Sequence, residues 1–301
     1  MNEDIRKFAK LGLVHHMLYP KSVYNSAYHA DTLIEFSKRV DIDTFDCCVP
    51  YDKKERQKTI RALNKCEKEK CYALHLFPAK KISLASLDKT EQEITRLVIK
   101  DQIKAASDIN AKGFVFVSGA DIPEARKEAK EAFLSFCRWF CCELGKYGIT
   151  ALLEPFDRTI DKKFLYGPID ECIELVDELS QEFGNIGIEL DIAHLPLMGE
   201  GFESAIKRCG NRIKRVHIGN CVLCDKDDTW YGDKHPPVCF KKGVIAEPEL
   251  SVILKTLLDI GYLSENERGA LVMEMQPYPG TSAEYTINST MEILNNVWRQ
   301  L

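Results

Sequence analysis

Eight short runs rich in Val, Ile, Leu and Phe punctuate this 301-residue chain, and a longer amphipathic segment follows each of them. The runs are Leu11–Met17, Thr44–Val49, Tyr72–Phe77, Gly113–Val117, Thr150–Phe156, Gly187–Asp191, Arg215–Ile218 and Leu271–Met275. Helical patterns cover Asp31–Val40, Lys53–Lys65, Lys89–Ser107, Pro123–Lys146, Pro168–Phe183, Phe202–Cys209, Glu247–Ile260 and Ser282–Leu301. Their apolar residues recur at helical spacing, as in Ile173, Val176 and Leu179. Gly113, Gly148, Gly187 and Gly261 mark helix-to-strand junctions. Eight strand–helix units predict a closed (β/α)8 barrel, the TIM-barrel architecture, as a single domain over residues 1–301. An open doubly wound sheet would carry a glycine-rich phosphate turn after its first strand. Here the first run leads into HHMLYPKS, and neither G-x-G-x-x-G nor G-x-x-x-x-G-K-[ST] occurs.

Composition narrows the partners. Lys and Arg number 41 against 46 Asp and Glu, a net charge of −5, with 45% apolar residues to build a core. Proteins that grip phosphate backbones carry a basic excess, so nucleic acid is not the expected partner. No stretch approaches the ~20 apolar residues of a membrane-spanning helix, and the start MNEDIRKFAKLGL has no signal-peptide pattern. Twelve scattered cysteines, including Cys47-Cys48 and Cys141-Cys142, read as reduced thiols of a cytoplasmic protein. Cys221 and Cys224 form a C-x-x-C with only Cys239 after it, which is half of a zinc site, so zinc is not expected there.

Chemistry gathers at the predicted strand ends. Strand five carries Glu154 near its C-terminal edge, strand six ends in Asp191 with His194 a turn later, strand seven carries His217, and strand eight carries Glu274. In a barrel these ends converge on one rim. Carboxylates gathered there repel one another unless a cation neutralises them. Oxygen-rich ligation with one imidazole suits Mn²⁺ or Mg²⁺, with Co²⁺ or Zn²⁺ as alternatives. Below them Glu189 and Arg215 share the inward face, and a Glu189–Arg215 ion pair is expected. Between His217 and Glu274 the segment Asn220–Val244 reads as one long loop dense in Asp, His, Trp and Tyr. A loop of that length belongs to the substrate site.

These residues resemble the xylose isomerase-like barrel superfamily, which holds sugar phosphate isomerases and epimerases, ketose 3-epimerases and the endonuclease IV group. The motifs are EPFDR at Glu154–Arg158, D-x-x-H at Asp191–His194, VHIGN at Val216–Asn220 and the Glu274 of VMEMQP. The resemblance implies that Glu154, Asp191, His217 and Glu274 hold one divalent metal. It further implies that Glu154 and Glu274 exchange the proton beside a substrate carbonyl, and that His194 contacts substrate. Arg158 and Lys162, after strand five, are placed to meet a substrate phosphate or hydroxyl. A homo-oligomer is an expectation from the resemblance alone.

A rival reading comes from GDKHP. Asp233 and His235 resemble the extra zinc pair of endonuclease IV, which would join His194 at a second metal. His75 also matches a ligand of that group, but strand four offers Val117 and Ser118 where it has a histidine. Asp233, His235 and His75 are therefore read as pocket residues that bind sugar hydroxyls. His15, His16 and Tyr19 are read as pocket lining, and Trp230 and Tyr231 as residues that could stack on a sugar. The expected function is a metal-dependent isomerase or epimerase of a small sugar or polyol. A multinuclear-zinc phosphodiesterase and a non-catalytic sugar-binding barrel remain as alternatives.

Overall fold

The computed structural model describes residues 3–74 and 83–301. Its strands are β1 (Ala9–Val14), β2 (Thr44–Cys47), β3 (Glu69–Ala73), β4 (Gly113–Phe116), β5 (Thr150–Leu153), β6 (Ile186–Asp191), β7 (Ile213–Ile218) and β8 (Gly269–Met273). They are parallel and close into a barrel in chain order, with Ala9 of β1 opposite Gly269 of β8. The helices around it are α1 (His15–Leu18), α2 (Ser26–Phe36), α3 (Lys53–Leu63), α4 (Lys89–Asp108) and α5 (Arg126–Gly145). They continue with α6 (Ile169–Ser180), α7 (His194–Leu197), α8 (Phe202–Cys209), α9 (Glu247–Asp259) and α10 (Ala283–Gln300). The expected (β/α)8 architecture is the fold. Among the described residues, no helix is long and apolar enough to cross a membrane.

Several boundaries differ from the sequence reading, with β3 beginning at Glu69, β7 at Ile213 and β8 at Gly269, and two others have a plain local reason. β1 stops at Val14 because His15–Leu18 coils into α1. α2 begins at Ser26 because Asn25 caps it, its side chain accepting the Tyr28 N–H.

Alternate strand residues point to opposite faces. The outward set, including Leu13, Phe45, Phe114, Phe116, Ile188 and Leu190, is buried against helix residues such as Phe133 and Phe140. Phe116 and Phe140 meet with centroids 4.9 Å apart. Each such burial contributes roughly 1.5–3 kcal/mol. The barrel interior is divided instead. Val14, Ala270 and Val272 form one small apolar cluster, and Cys71, Val115 and Leu152 another. Thr44 and Asp46 on β2, between these clusters, and Glu189, Asp191, Arg215 and His217 on β6 and β7 are polar and also buried. All twelve cysteines are free, and Cys221 is buried while Cys224 is exposed.

The long segment after β7 is pinned by one side chain. Asn220 donates through Nδ2 to the carbonyls of Pro237 (3.2 Å) and Ile245 (2.9 Å). Its Oδ1 accepts the N–H groups of Cys221 and Ile245, both at 2.9 Å. Both ends of the loop are thereby tied to one buried amide. Replacing Asn220 by Asp removes both donations, and a buried group left unpaired costs about 1–3 kcal/mol. Asn220→Asp should lower the melting temperature and speed limited proteolysis within residues 221–244. Wild-type melting and digestion would show that the loop is held elsewhere.

Candidate active site

Glu154 and Glu274 lie one residue beyond β5 and β8. Their N–H groups still donate to the neighbouring strand, to Phe116 O (3.0 Å) and Ile218 O (2.9 Å). Both carboxyls are therefore set by strand backbone rather than by loop. Asp191 ends β6 and stands in register with His217 of β7. Glu154, Asp191, His217 and Glu274 are buried, and each offers a ligand atom within 4.8 Å of the other three. His217 Nδ1 lies 2.6 Å from Glu274 Oε2 and 3.4 Å from Glu189 Oε1. Asp191 Oδ1 accepts the Ala193 N–H at 2.7 Å, while its Oδ2 has no hydrogen-bond partner.

The electrostatics reflect this crowding. Burial pushes the Glu154 carboxyl up to about 8, with Glu274 and Asp191 reinforcing it against the pull of His194 and His217. Glu274 is also penalised by burial, but His235 and His217 hold it below the ordinary carboxylate range. Burial drives Glu189 well up as well. Buried, mutually repelling carboxylates with an unpartnered oxygen aimed among them are a donor set suited to a divalent cation.

Glu189 does not pair with Arg215 as the sequence led us to expect. The two are register neighbours on β6 and β7, but the Arg215 side chain reaches across the interior to Asp46 on β2. Its Nε lies 2.9 and 3.0 Å from the two Asp46 oxygens, and its Nη2 donates to Asp46 Oδ1 and to Thr44 Oγ1. A bidentate fork on an ionised carboxylate outcompetes a neighbour that burial favours as neutral. Both Glu189 oxygens are left without a hydrogen bond.

A second cluster adjoins the first. His194 Nδ1 donates to the Pro155 carbonyl at 2.9 Å, which turns Nε2 toward Asp233 Oδ1 (3.3 Å) and Asp191 Oδ2 (3.6 Å). His235 Nε2 lies 2.6 Å from Asp233 Oδ1 and 3.8 Å from Asp191 Oδ2. Asp191, His194 and His235 also offer ligand atoms within 4.8 Å of one another. His235 has a positive φ of 49°, a backbone state rare outside glycine. Its ring packs where a Cβ on Gly219 would come within 2.4 Å of Nδ1, so the glycine of VHIGN makes room for it.

The residues of the two clusters except Asp191 and His194 line a cavity of about 440 Å³ at the strand ends, and Glu189 is likewise outside its lining. Glu154, Lys162, His217, Asp233, His235 and Glu274 supply polar lining, and Val14, Met17, Leu74, Val115, Val117 and Phe156 supply apolar lining. A larger hollow of about 1040 Å³ lies between α2 and α3, outside the barrel and away from these groups.

Some sequence candidates lie elsewhere. Arg158 is not in the cavity: its guanidinium grips Glu171 of α6 and the Leu165 carbonyl. Asp157 causes this, because its carboxylate accepts the N–H groups of Ile160, Asp161 and Lys162 and turns the loop. The turn brings Lys162 into the cavity instead, 2.7 Å from Asp233 Oδ2. His16 lines the cavity, whereas His15 stacks between Tyr19 and His29 and bonds Thr32. Trp230 packs on Phe240 within its own loop. His75 lies outside the described residues. Asp46 escaped the sequence reading, although a carboxylate two residues after Thr44 in an apolar strand was a signal for it.

Residues 34–297 match the family described as the xylose isomerase-like TIM barrel, and the chain belongs to that family. Among solved structures it resembles a D-tagatose 3-epimerase-like protein, at 17% identity and TM-score 0.73, over 97% of this chain and 99% of the other. It also resembles an AP endonuclease of family 2 from Brucella melitensis, at 16% identity and TM-score 0.69, over 94% and 98%. A third is an IolI protein with a bound zinc atom, at 17% identity and TM-score 0.67, over 96% and 97%. No curated protein matches the chain significantly.

The protonation pattern predicts how the metal-free protein responds to pH. Glu154 titrates at about 8 when folded against 4.5 ordinarily, so the folded state retains a proton that the unfolded chain releases. Stability therefore falls as pH rises through that interval. His235, raised from 6.5 to about 9 by Asp233 and Glu274 against the burial penalty, adds stability that is full below 6.5 and lost as pH passes 9. Asp233 and Glu274, held low, lose their contribution only in acid. Melting temperature should thus peak at about pH 5 and decline toward about pH 9, with divalent cation flattening the decline. Thermal melts across pH, with chelator and with Mn²⁺, check this; a rise toward alkaline pH would contradict it.

Proposed function

We propose that the protein is a divalent-metal-dependent isomerase or epimerase of a small sugar, polyol or related acid. It would move a proton on the carbon beside a carbonyl. The observation that carries this reading is the convergence of Glu154, Asp191, His217 and Glu274 from four successive strands into one buried cluster. These four residues would hold the metal. Carboxylate-rich ligation favours Mn²⁺ or Mg²⁺, with Co²⁺ or Zn²⁺ able to substitute. Bound there, the cation would polarise the carbonyl and steady negative charge on its oxygen.

The rest falls to the chain's own side chains. Glu154 and Glu274 project from strands on either side of Asp191 and His217, so a substrate over the cluster has a carboxyl from each flank. One would accept the proton and the other return one, giving epimerisation or isomerisation according to the carbon that receives it. His194, Lys162, Asp233 and His235 would orient substrate oxygens. The apolar wall opposite would keep water from the carbanionic carbon. Family membership supports the reading, as do structural neighbours such as the D-psicose 3-epimerase solved in the presence of D-fructose.

A second reading has one observation in its favour. The Asp191, His194 and His235 cluster, with Asp233 beside it, would take a second cation, as a multinuclear phosphodiesterase requires. Metal content of the purified protein separates the two. The test follows ketose C3 epimerisation, aldose–ketose isomerisation and deuterium uptake from solvent, beside cleavage of abasic-site DNA. One bound metal with sugar turnover is expected; DNA cleavage without sugar turnover would overturn the proposal. Sugar binding with no proton exchange would mark a non-catalytic barrel. Glu274→Gln should lower turnover by about 10²- to 10⁴-fold with an unchanged circular dichroism spectrum. Retained turnover would remove Glu274 from the proton-transfer pair.

A further inference from the structure

The buried Asp46–Arg215 pair has a third member. Asp46 Oδ2 lies 3.2 Å from His217 Nε2, while His217 Nδ1 faces Glu274 at 2.6 Å. We propose that Asp46, clamped by Arg215, is the positioning residue of the metal centre, orienting the His217 ring so that Nδ1 rather than Nε2 is the ligand atom. The proposal rests on the metal reading of the Glu154, Asp191, His217 and Glu274 cluster.

Three observations carry it. Asp46 is fully buried on β2, yet it does not belong to the four-residue cluster, so it is not itself in ligating position. Arg215 engages both of its oxygens through Nε, and Thr44 Oγ1 accepts from Nη2, so the carboxylate has little freedom to rotate. The two nitrogens of His217 also face different company. Nε2 meets a carboxylate outside the cluster, and Nδ1 meets Glu274 within it.

An imidazole bound to a metal through one nitrogen carries its proton on the other, and the partner of that proton fixes ring and tautomer. Asp46 is placed to be that partner. An ion pair serving only to fill the barrel would not need its carboxylate turned toward Nε2. The chain of contacts from Thr44 through Arg215, Asp46 and His217 to Glu274 instead ties the middle of the barrel to its rim.

The direct test is on the unaltered protein. Loaded with Zn²⁺, its histidine side-chain ¹⁵N NMR spectrum should show His217 with the proton on Nε2 and the metal on Nδ1; the reverse assignment overturns the proposal. The second test measures Mn²⁺ affinity by calorimetry for wild type, Asp46→Asn and the double variant Asp46→Leu/Arg215→Met. The double variant removes both charges together, so no unpaired guanidinium stays buried. Loss of a ligand's hydrogen-bond partner typically weakens metal binding about 10- to 100-fold, and both variants should show it. Adding Asp46→Asn to His217→Ala should weaken binding no further, because Asp46 acts through that ring. Wild-type affinity in a folded variant, or a full additional loss in the His217→Ala background, overturns the proposal. If wild type binds no divalent metal, the functional reading fails as well; if it binds and the variants bind equally, only the role of Asp46 fails.

Discussion

Carboxylates buried side by side are the constraint around which this barrel interior is arranged. Asp46, Glu154, Glu189, Asp191, Asp233 and Glu274 all lie within it, shielded from solvent. An ionised carboxylate in such a place costs several kcal/mol unless it is paired. The fold meets that cost in different ways at different depths. Arg215 neutralises Asp46 outright. At the rim, His194, His217 and His235 are pushed to hold protons by the surrounding acids, against the burial penalty. Glu154 and Glu189 keep their own protons. The metal-free rim thus balances its charge with protons, and a divalent cation is the natural replacement for them.

That balance also explains why polar and apolar residues divide the interior. Acids and imidazoles concentrate on β5 to β8, where adjacent strands bring them within reach of one another, with Asp46 of β2 drawn in by Arg215. The opposite wall carries Val14, Val115 and Val117, and Met17 sits beside it on α1. The cavity consequently has one face that can ligate and orient oxygen atoms and one that can only exclude water.

The fold was legible because eight apolar runs and eight amphipathic patterns leave little choice of topology. The rim was legible because Glu154, Asp191, His217 and Glu274 each end or follow a strand, and strand ends converge. Side-chain reach was not legible. Register does set Glu189 beside Arg215, but the arginine is long enough to cross the barrel, and a bidentate partner wins over a nearer one. Loop direction was equally hidden. After EPFDR the turn made by Asp157 sends Arg158 outward to Glu171 and Lys162 inward to Asp233, so only one of the two expected substrate contacts faces the cavity. His15 and His16 diverge for a similar reason: β1 ends at Val14, and one turn of helix aims the two rings at different surroundings.

Among the described residues the two candidate ligand clusters share Asp191, and its geometry bears on which reading of the site is simpler. One Asp191 oxygen is occupied by the Ala193 N–H, and the other, Oδ2, faces His194 and His235 without a hydrogen bond. A single cation at Glu154, Asp191, His217 and Glu274 would displace the proton shared by His217 and Glu274 and leave the loops undisturbed. A second cation at Asp191, His194 and His235 would also compete with Asp233, which holds His235 at 2.6 Å and Lys162 at 2.7 Å. Lys162 comes from the loop after β5 and Asp233 from the loop after β7, and Lys234 repeats the link through Asp161 at 3.1 Å. Filling the second site would therefore loosen a clasp between two loops as well as exchange a proton. The one-cation arrangement asks less of the structure, and in it Lys162 and Asp233 stay together as a neutral, polar edge of the cavity suited to hydroxyl groups.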